Sequence, residues 1–516
     1  MLLFLLAAFV LVHIPKIQTS LIQMVTDKIS SVVAGDVSIG SASIAFIDKI
    51  ALEDIALIGP KADTVVCVNK MLIDFSPLSA ISKNLKIRRI NIDGGFFFLE
   101  TRNKTNNLTK VFLNKHLADS LGNLDSIPKV KRPVKDSTKS KLDFGIDINL
   151  KRLKISNFSF FMKNHDNKKP PKVGPRNILF NDMALYDIFI DMTDVKLSGG
   201  ELKTNLKRLS AKERRGLNMS QLSGRVTFND TLARLDDMVY RDGKTELNCE
   251  YYMMEYQSLA AFKDYVHKVK MGLKFKDTYL DFTSIGYFAA LNDNLQLKLH
   301  LNGEISGTVT DIDAKKLKVQ AGSGLTNFVV NAKLRGLPDF YNTATTINIE
   351  KLHTTAEDAD WIIREITQPP YKAAVVSKFA SGQDIDFSAE MKGTFGDFDI
   401  TGLLATGVGD IDINAHCRAG KGSGFVFDGD VAASGVALGT ILKNKKLSEL
   451  SCNVSARAAL SRKNMEVDLR QLHVSSLGFN GYDYSDIYAS GNLNSSEFNG
   501  TVYSPFQRPC YFQWAG

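Results

Sequence analysis

Four aspartates, Asp397, Asp399, Asp410 and Asp412, stand close together in the chain and alternate with apolar neighbours. Clustered carboxylates could hold calcium or act as the acid pair of a glycoside hydrolase. Alternation at period two instead places them on one wetted sheet face, so solvated sheet outweighs either site. The five cysteines, Cys67, Cys249, Cys417, Cys452 and Cys510, are scattered, with no CxxC spacing. They indicate neither a disulfide framework nor a thiolate metal site. The eight histidines run dispersed from His13 to His473 without a second ligand at helical or hairpin spacing. The glycine-rich GKGSGF at Gly420 to Phe425 lacks the Lys-Ser/Thr that a phosphate loop needs, and reads as a hairpin turn. There is no GxSxG elbow, Walker loop, HExxH or GxGxxG after a strand. The expectation is a non-enzyme with no catalytic residue, no metal and no cofactor.

What must position any functional residue is a sheet. From Asp36 to Phe98 apolar residues recur at alternate positions: Val37/Ile39, Ile44/Phe46, Ile50/Leu52, Ile55/Leu57, Met71/Ile73/Phe75, Ile90/Ile92 and Phe96/Phe98. Their partners are mostly Asp, Lys, Ser, Asn and Arg, so one face is apolar and the other wetted. Gly59-Pro60, Ser76-Pro77 and Gly94-Gly95 separate these runs as turns or short connections. The pattern returns at Phe144/Ile146/Ile148/Leu150 and again at Leu295, Leu297, Leu299 and Leu301, and continues to the C-terminus. Helices are few: Leu209 to Leu217 as a short polar helix or turn, Gln257 to His267, Glu357 to Thr367 capped by Thr355, and a short interruption near Gly439 to Lys445.

A strand every ~15–20 residues gives about 25 strands, and at ~4.8 Å each an unclosed ladder would reach ~120 Å. So large a sheet must curl or fold on itself, and too few helices exist to cover its apolar face. Either the sheet bends into a trough with an unfilled apolar inner face, or it packs on itself as sandwich modules. The fold class is therefore mainly β: a long, curved antiparallel sheet forming an apolar groove, with few short helices. The groove candidates are Ile44, Phe46, Ile146, Ile148, Leu295, Leu297, Leu299 and Leu301.

The net charge of +8 is concentrated in two Pro-containing stretches, Lys129 to Lys141 and Lys163 to Arg176, leaving the remainder near neutrality. Neither interleaves aromatics with its lysines, so no nucleic-acid partner is indicated. They read as solvated loops or as contacts to an anionic partner such as lipid headgroups. Met1 to Ile14 (MLLFLLAAFVLVHI) is apolar almost throughout, with Leu2, Leu3, Phe4, Leu5, Leu6, Phe9 and Leu11 as anchor residues. It lacks a basic n-region and a cleavage site, which favours an uncleaved N-terminal membrane helix over a signal peptide. The resulting order is an anchor (1–15), an amphipathic helix (16–35), a first β-module with the two basic loops (36–200), a second with short helices (201–370) and further β-repeats (371–516).

These features together resemble the N-terminal part of the TamB family, in the AsmA-like superfamily, in its Bacteroidetes-type form. The resemblance is carried by GDVSIGSASIAFIDKIALEDIALIGPKADTVVCVNKMLIDFS, LKIRRINIDGG, LSAKERRGLNMSQLSGRVTF, LKLHLNGEISGTVTDIDAKKLKV and FDGDVAASGVALGTILKN, in that order, over roughly residues 1 to 500. It implies a single-pass inner-membrane protein of a Gram-negative bacterium, with its bulk in the periplasm. The implied function is outer-membrane biogenesis by conduction of phospholipid along an apolar β-groove. The alternative it implies is a scaffold for assembly or secretion of outer-membrane proteins, acting with an Omp85-family barrel. Family members continue beyond a point equivalent to SPFQRPCYFQWAG, so the chain is expected to be the N-terminal part of a longer protein. A carbohydrate-active β-solenoid is disfavoured, because only Trp361 and Trp514 could serve as indole platforms.

Overall fold

The computed structural model describes residues 36–46, 48–59, 63–76, 87–103, 105–107, 147–166, 176–288, 296–337, 339, 342–367, 383–420, 424–460, 465–494, 497–505 and 510–515. The expected anchor and amphipathic helix, Ile146, Leu295 and the first basic loop lie outside these residues, as do residues 167–175 of the second. The described chain is mostly strand, with few short helices, as expected. It divides into two compact units, Met1–Leu259 with Thr283–Asp293, and Ala260–Phe282 with Asn294–Gly516.

The first unit contains β1 (Asp36–Phe46), β2 (Lys49–Ile58), β3 (Thr64–Phe75), β4 (Ile87–Arg102), β5 (Thr105–Asn106), β6 (Ile148–Asn164), β7 (Asp182–Ser198), β8 (Glu201–Glu213), β9 (Asn218–Phe228), β10 (Leu232–Arg241) and β11 (Glu246–Glu255). Neighbours in sequence pair antiparallel, except that β6 lies parallel to β4, with Ile90 opposite Leu153 and Phe97 opposite Phe160. Parallel pairing needs a long return connection, and the segment between β4 and β6 supplies it.

Non-glycine residues at positive φ mark bulges in this ladder: Asp54, Asn157, Asp187, Asp194 and Asp237, all between 50° and 54°. Asp and Asn tolerate this left-handed conformation better than other L-residues. In β2 the bulge switches which parity faces inward: Ile50 and Leu52 before it, Ile55 after it, are all buried in one cluster with Val68, Ile73 and Phe75. Gly94-Gly95 is not a turn but the same kind of feature inside the sixteen-residue β4, at φ +74° and +134°. Leu209 to Leu217 is likewise not a helix. Its first residues complete β8, whose Leu209 faces Leu222 and Ala211 faces Met219, and the turn follows Glu213. Its polar residues Ser210 and Lys212 alternate with Leu209 and Ala211, so the charge that suggested a helix decorates the wetted face of a strand.

The second unit contains α1 (Tyr265–Lys268), β12 (Lys270–Asp281), β13 (Lys298–Gly307), β14 (Asp311–Ala321), β15 (Thr326–Arg335), β16 (Ala344–Thr355), α2 (Ala356–Thr367), β17 (Asp384–Thr394), β18 (Asp397–Thr406), β19 (Gly409–Gly420), β20 (Gly424–Ala437), α3 (Leu438–Ile441), β21 (Leu447–Leu460), β22 (Met465–Phe479), β23 (Tyr482–Tyr484), β24 (Ile487–Asn494), β25 (Glu497–Tyr503) and β26 (Cys510–Ala515). All its described pairings are antiparallel and join strands that follow one another in the chain, save that β22 pairs with β24 as well as with β23. Gly420 opposes Gly424, so GKGSGF is the expected hairpin connection between β19 and β20.

The N-terminus of α2 is capped as its sequence predicts, the Asp358 backbone N–H donating to Thr355 Oγ1 at 3.2 Å. The Asp358 carboxylate then ties the helix to the β14–β15 turn, accepting from Ser323 Oγ at 2.8 Å, Ser323 N at 3.1 Å and Thr326 Oγ1 at 3.2 Å.

Candidate functional site: the apolar face

Residues opposite one another in an antiparallel ladder share a face, so the registers of the second unit assign every side chain to a side. One row crosses eleven strands, from β13 to β24 without β23: Leu301, Val319, Phe328, Leu352, Phe387, Leu404, Ile411, Ala433, Cys452, Val474 and Ile487. Every member is apolar. Ten strand spacings make it about 48 Å long. A second row on the same face runs Leu273, Ile305, Ala314, Ala332, Ile347, Met391, Ile400, Ala415, Gly429, Ala456 and Leu469. The period-two pattern of single strands thus adds up to one uninterrupted apolar surface.

The opposite face carries acidic and basic residues interspersed across the ladder. One of its rows reads Asp313, Lys333, Thr346, Lys392, Asp399, His416, Asp428, Arg457 and Asp468. Opposite charges on facing strands attract, and like charges would repel, so this row favours the observed register. Asp397, Asp399, Asp410 and Asp412 all lie on this wetted face and are exposed. His416 sits between two of them, Nδ1 2.8 Å from Asp399 Oδ1 and Nε2 3.0 Å from Asp397 Oδ1. Among the described residues no three His, Cys, Asp or Glu side chains are placed to hold a metal ion.

The two faces differ in how they are covered. Leu301, Val319, Cys452 and Val474 are buried by their neighbours, whereas Phe328, Leu352, Phe387, Leu404 and Ile411 remain half-buried. Near the centre of the row α2 gives partial cover at the ends of β17 and β18, where Ala356 packs on Ile385 beside Leu404 and Val408. The helices α1 and α3 have four residues each, about 6 Å of length, which is too short to roof such a row. Apolar side chains therefore remain partly open to solvent along the strands.

In the first unit the corresponding row is Ile44, Ile50, Ile73, Ile90, Leu153, Met192 and Leu206. A parallel row joins Ile148 to Leu197, Leu202, Phe228, Ala233 and Met254. Ile50 and Phe75 are fully buried there, so the apolar face of this unit is closely packed around them.

The structure places Ile44, Ile148, Leu299 and Leu301 on the apolar faces of their units. Leu297 is buried just before β13, and Phe46 ends β1 opposite Lys49. These candidates are not gathered at one point; they belong to rows that extend the length of each ladder. The central members Phe328, Leu352, Phe387 and Leu404 were not singled out from the sequence, because a strand read alone does not show which residues of its neighbours share its row; register does.

The thiols on the apolar faces are held protonated. Burial pushes Cys249 up to about 12, and raises Cys417 and Cys452 as well. Cys67, Cys249, Cys417 and Cys452 are free. No helix among the described residues is long and apolar enough to cross a membrane. Comparison with protein-family models, with curated proteins and with solved structures returns no match.

Proposed function

We propose that this chain binds lipid acyl chains along its apolar rows and conducts phospholipid between the membranes of a Gram-negative envelope. In this reading it is held at the inner membrane by the apolar segment of residues 1–15, and supports outer-membrane biogenesis from the periplasm. The observation that carries it is the eleven-strand row from Leu301 to Ile487, apolar at every position and half-open along its middle. Burying a methylene stabilises by ~0.8 kcal/mol, so an acyl chain laid on such a row gains far more than a head group gains from exposed lysines.

A second reading, a scaffold that receives a client strand, is favoured by β1. Among the described residues its outer edge has no partner strand, and its sequence DVSIGSASIAF contains neither proline nor lysine to protect it.

Photo-cross-linking residues introduced at Ile44, Ile148 and Leu297 test the first reading. All three should label phospholipid, while the outward neighbours Ser43, Asp147 and Lys298 label little. Equal labelling on both faces rejects acyl binding, and protein adducts confined to β1 would select the scaffold.

A further inference from the structure

We propose that the polar face of the second unit carries a binding site for a phosphate group, on the side opposite the acyl-binding rows. A depression of about 330 Å³ opens there across β13 to β16. That volume lies at the lower end of the ~300–1,000 Å³ typical of small-molecule sites.

Two registered rows make it. The first is His300, Gln320, Asn327 and His353; the second is Asn302, Lys318, Val329 and Lys351. The side chains of both rows belong to the wetted face, and the depression is lined by every one of them together with Asp277 and with Leu301, Val319 and Phe328, which stand between the two rows in their strands. Its shape follows from side-chain length and direction. Val329 is short and lies between two lysines. Gln320 turns its amide nitrogen to the Gly324 carbonyl oxygen at 2.7 Å, and Asn327 turns its own to the Leu325 carbonyl oxygen at 3.0 Å. Both amides thus bend toward the β14–β15 turn and leave the floor open.

The charge of the walls selects the ligand. Lys318 and Lys351 have no ion pair or hydrogen bond among the described residues, whereas Lys333 and Lys392 on the same face each stand opposite or beside an acid. The two free ammonium groups stand on alternate strands, about 10 Å apart at the backbone, with the apolar Val329 between them. Long flexible stems let both reach one anion above that floor, the way lysine serves phosphate as a point charge. His300 stands at one end of the first row, its ring tilted at 57° to that of Tyr279 with centroids 5.0 Å apart, and His353 at the other, its Nδ1 3.0 Å from Asp386. Asp277 is the one carboxylate lining the depression, at the β12 side next to Asn302 and away from Lys351. Two ammonium groups against one carboxylate leave a site that favours an anion, with imidazole and amide groups as further hydrogen-bond partners.

A phosphate group can come from a lipid head group or from a soluble phosphate ester, and the test separates the two. Full-length protein in neutral detergent is titrated calorimetrically with inorganic phosphate and with glycerol phosphate at low salt. Lys318→Gln/Lys351→Gln should weaken both by about tenfold, equivalent to ~1.4 kcal/mol. The control Lys333→Gln/Lys392→Gln removes the same charge from the same face and should leave binding unchanged. Adsorption to phosphatidylglycerol vesicles is then measured with glycerol phosphate as competitor. Adsorption lost in the first variant and competed by glycerol phosphate identifies a head group; adsorption unchanged, with phosphate binding lost, identifies a soluble ester. Absence of saturable phosphate binding, or equal weakening in both variants, overturns the site. Neither outcome touches acyl labelling on the opposite face, so the two proposals fail separately.

Discussion

Phe158 of β6 lies directly beside Gly95 of β4, its ring edge 3.0 Å from where a β-carbon of residue 95 would sit. The glycine is held at φ +134°, and an added methyl would also collide with the Cys67 carbonyl oxygen on β3. Absence of a side chain here lets Phe158 pack on the cluster of Ile50, Leu52 and Phe75 across the intervening strand. Gly95→Ala should therefore destabilise the first unit by about 2–3 kcal/mol, from backbone strain and displaced packing together. Urea melts of the variant check this. A Cm equal to wild type would mean that β4 and β6 are not in this register.

The pair Arg152 and Asp191 gives the first unit a defined acid response. The guanidinium donates twice, Nε to Oδ1 at 2.8 Å and Nη2 to Oδ2 at 2.7 Å. These hydrogen bonds are the main reason the Asp191 carboxyl is held below its usual range, burial opposing them. A carboxyl lowered on folding contributes stability that is complete above its unfolded value, about 3.9, and is lost as pH falls through the folded value. Arg152→Met should cost about 1 kcal/mol at neutral pH, the upper end for a half-exposed pair. The difference in Tm between wild type and variant should close as pH drops below about 3.9. A difference that stays constant to pH 2 would contradict the assignment.

Asp358 should be the fastening of α2. Removing its carboxylate takes away the acceptor that ties the exposed Ser323 and the buried Thr326 to the helix, Thr326 keeping Thr354 Oγ1 as a partner at 2.6 Å, which costs about 1–2 kcal/mol. Because the loss is local, hydrogen exchange should show α2 opening in Asp358→Ala before β13 to β16 lose protection. Simultaneous loss of protection throughout the second unit would assign the residue to the global core instead.

The faces were legible in the sequence because alternation fixes them strand by strand; Ile44, Ile148, Leu299 and Leu301 fall where the period places them. Thr355 was legible as a cap because its hydroxyl must be followed at once by helix. Register was not. The parallel pairing of β4 with β6 depends on a return connection whose residues carry no period. The inward parity of β2 reverses at Asp54, and no count along the strand reveals a bulge that needs only one residue at positive φ. The charged row through Asp399, His416 and Asp428, and the depression between Lys318 and Lys351, each draw on several strands. They exist only once those strands are aligned.

The last prediction separates an open apolar row from a filled core, using two leucines of β13. Leu299 is half-buried and faces Leu280, while Leu301 is 6% exposed and faces Thr278 on one side and Val319 on the other. An arginine at 301 must bury its charge unpaired among these neighbours, which costs several kcal/mol and should lower Tm steeply. At 299 the guanidinium can reach water along the uncovered face, so Leu299→Arg should melt within about 5 °C of wild type, a loss near 1 kcal/mol. The same charge lies in the path of an acyl chain on the row, and cross-linking of phospholipid at Leu352 should fall sharply in the folded variant. Equal collapse of both variants would show that position 299 belongs to a closed core. A folded Leu299→Arg variant with undiminished labelling would show that acyl chains do not follow this face.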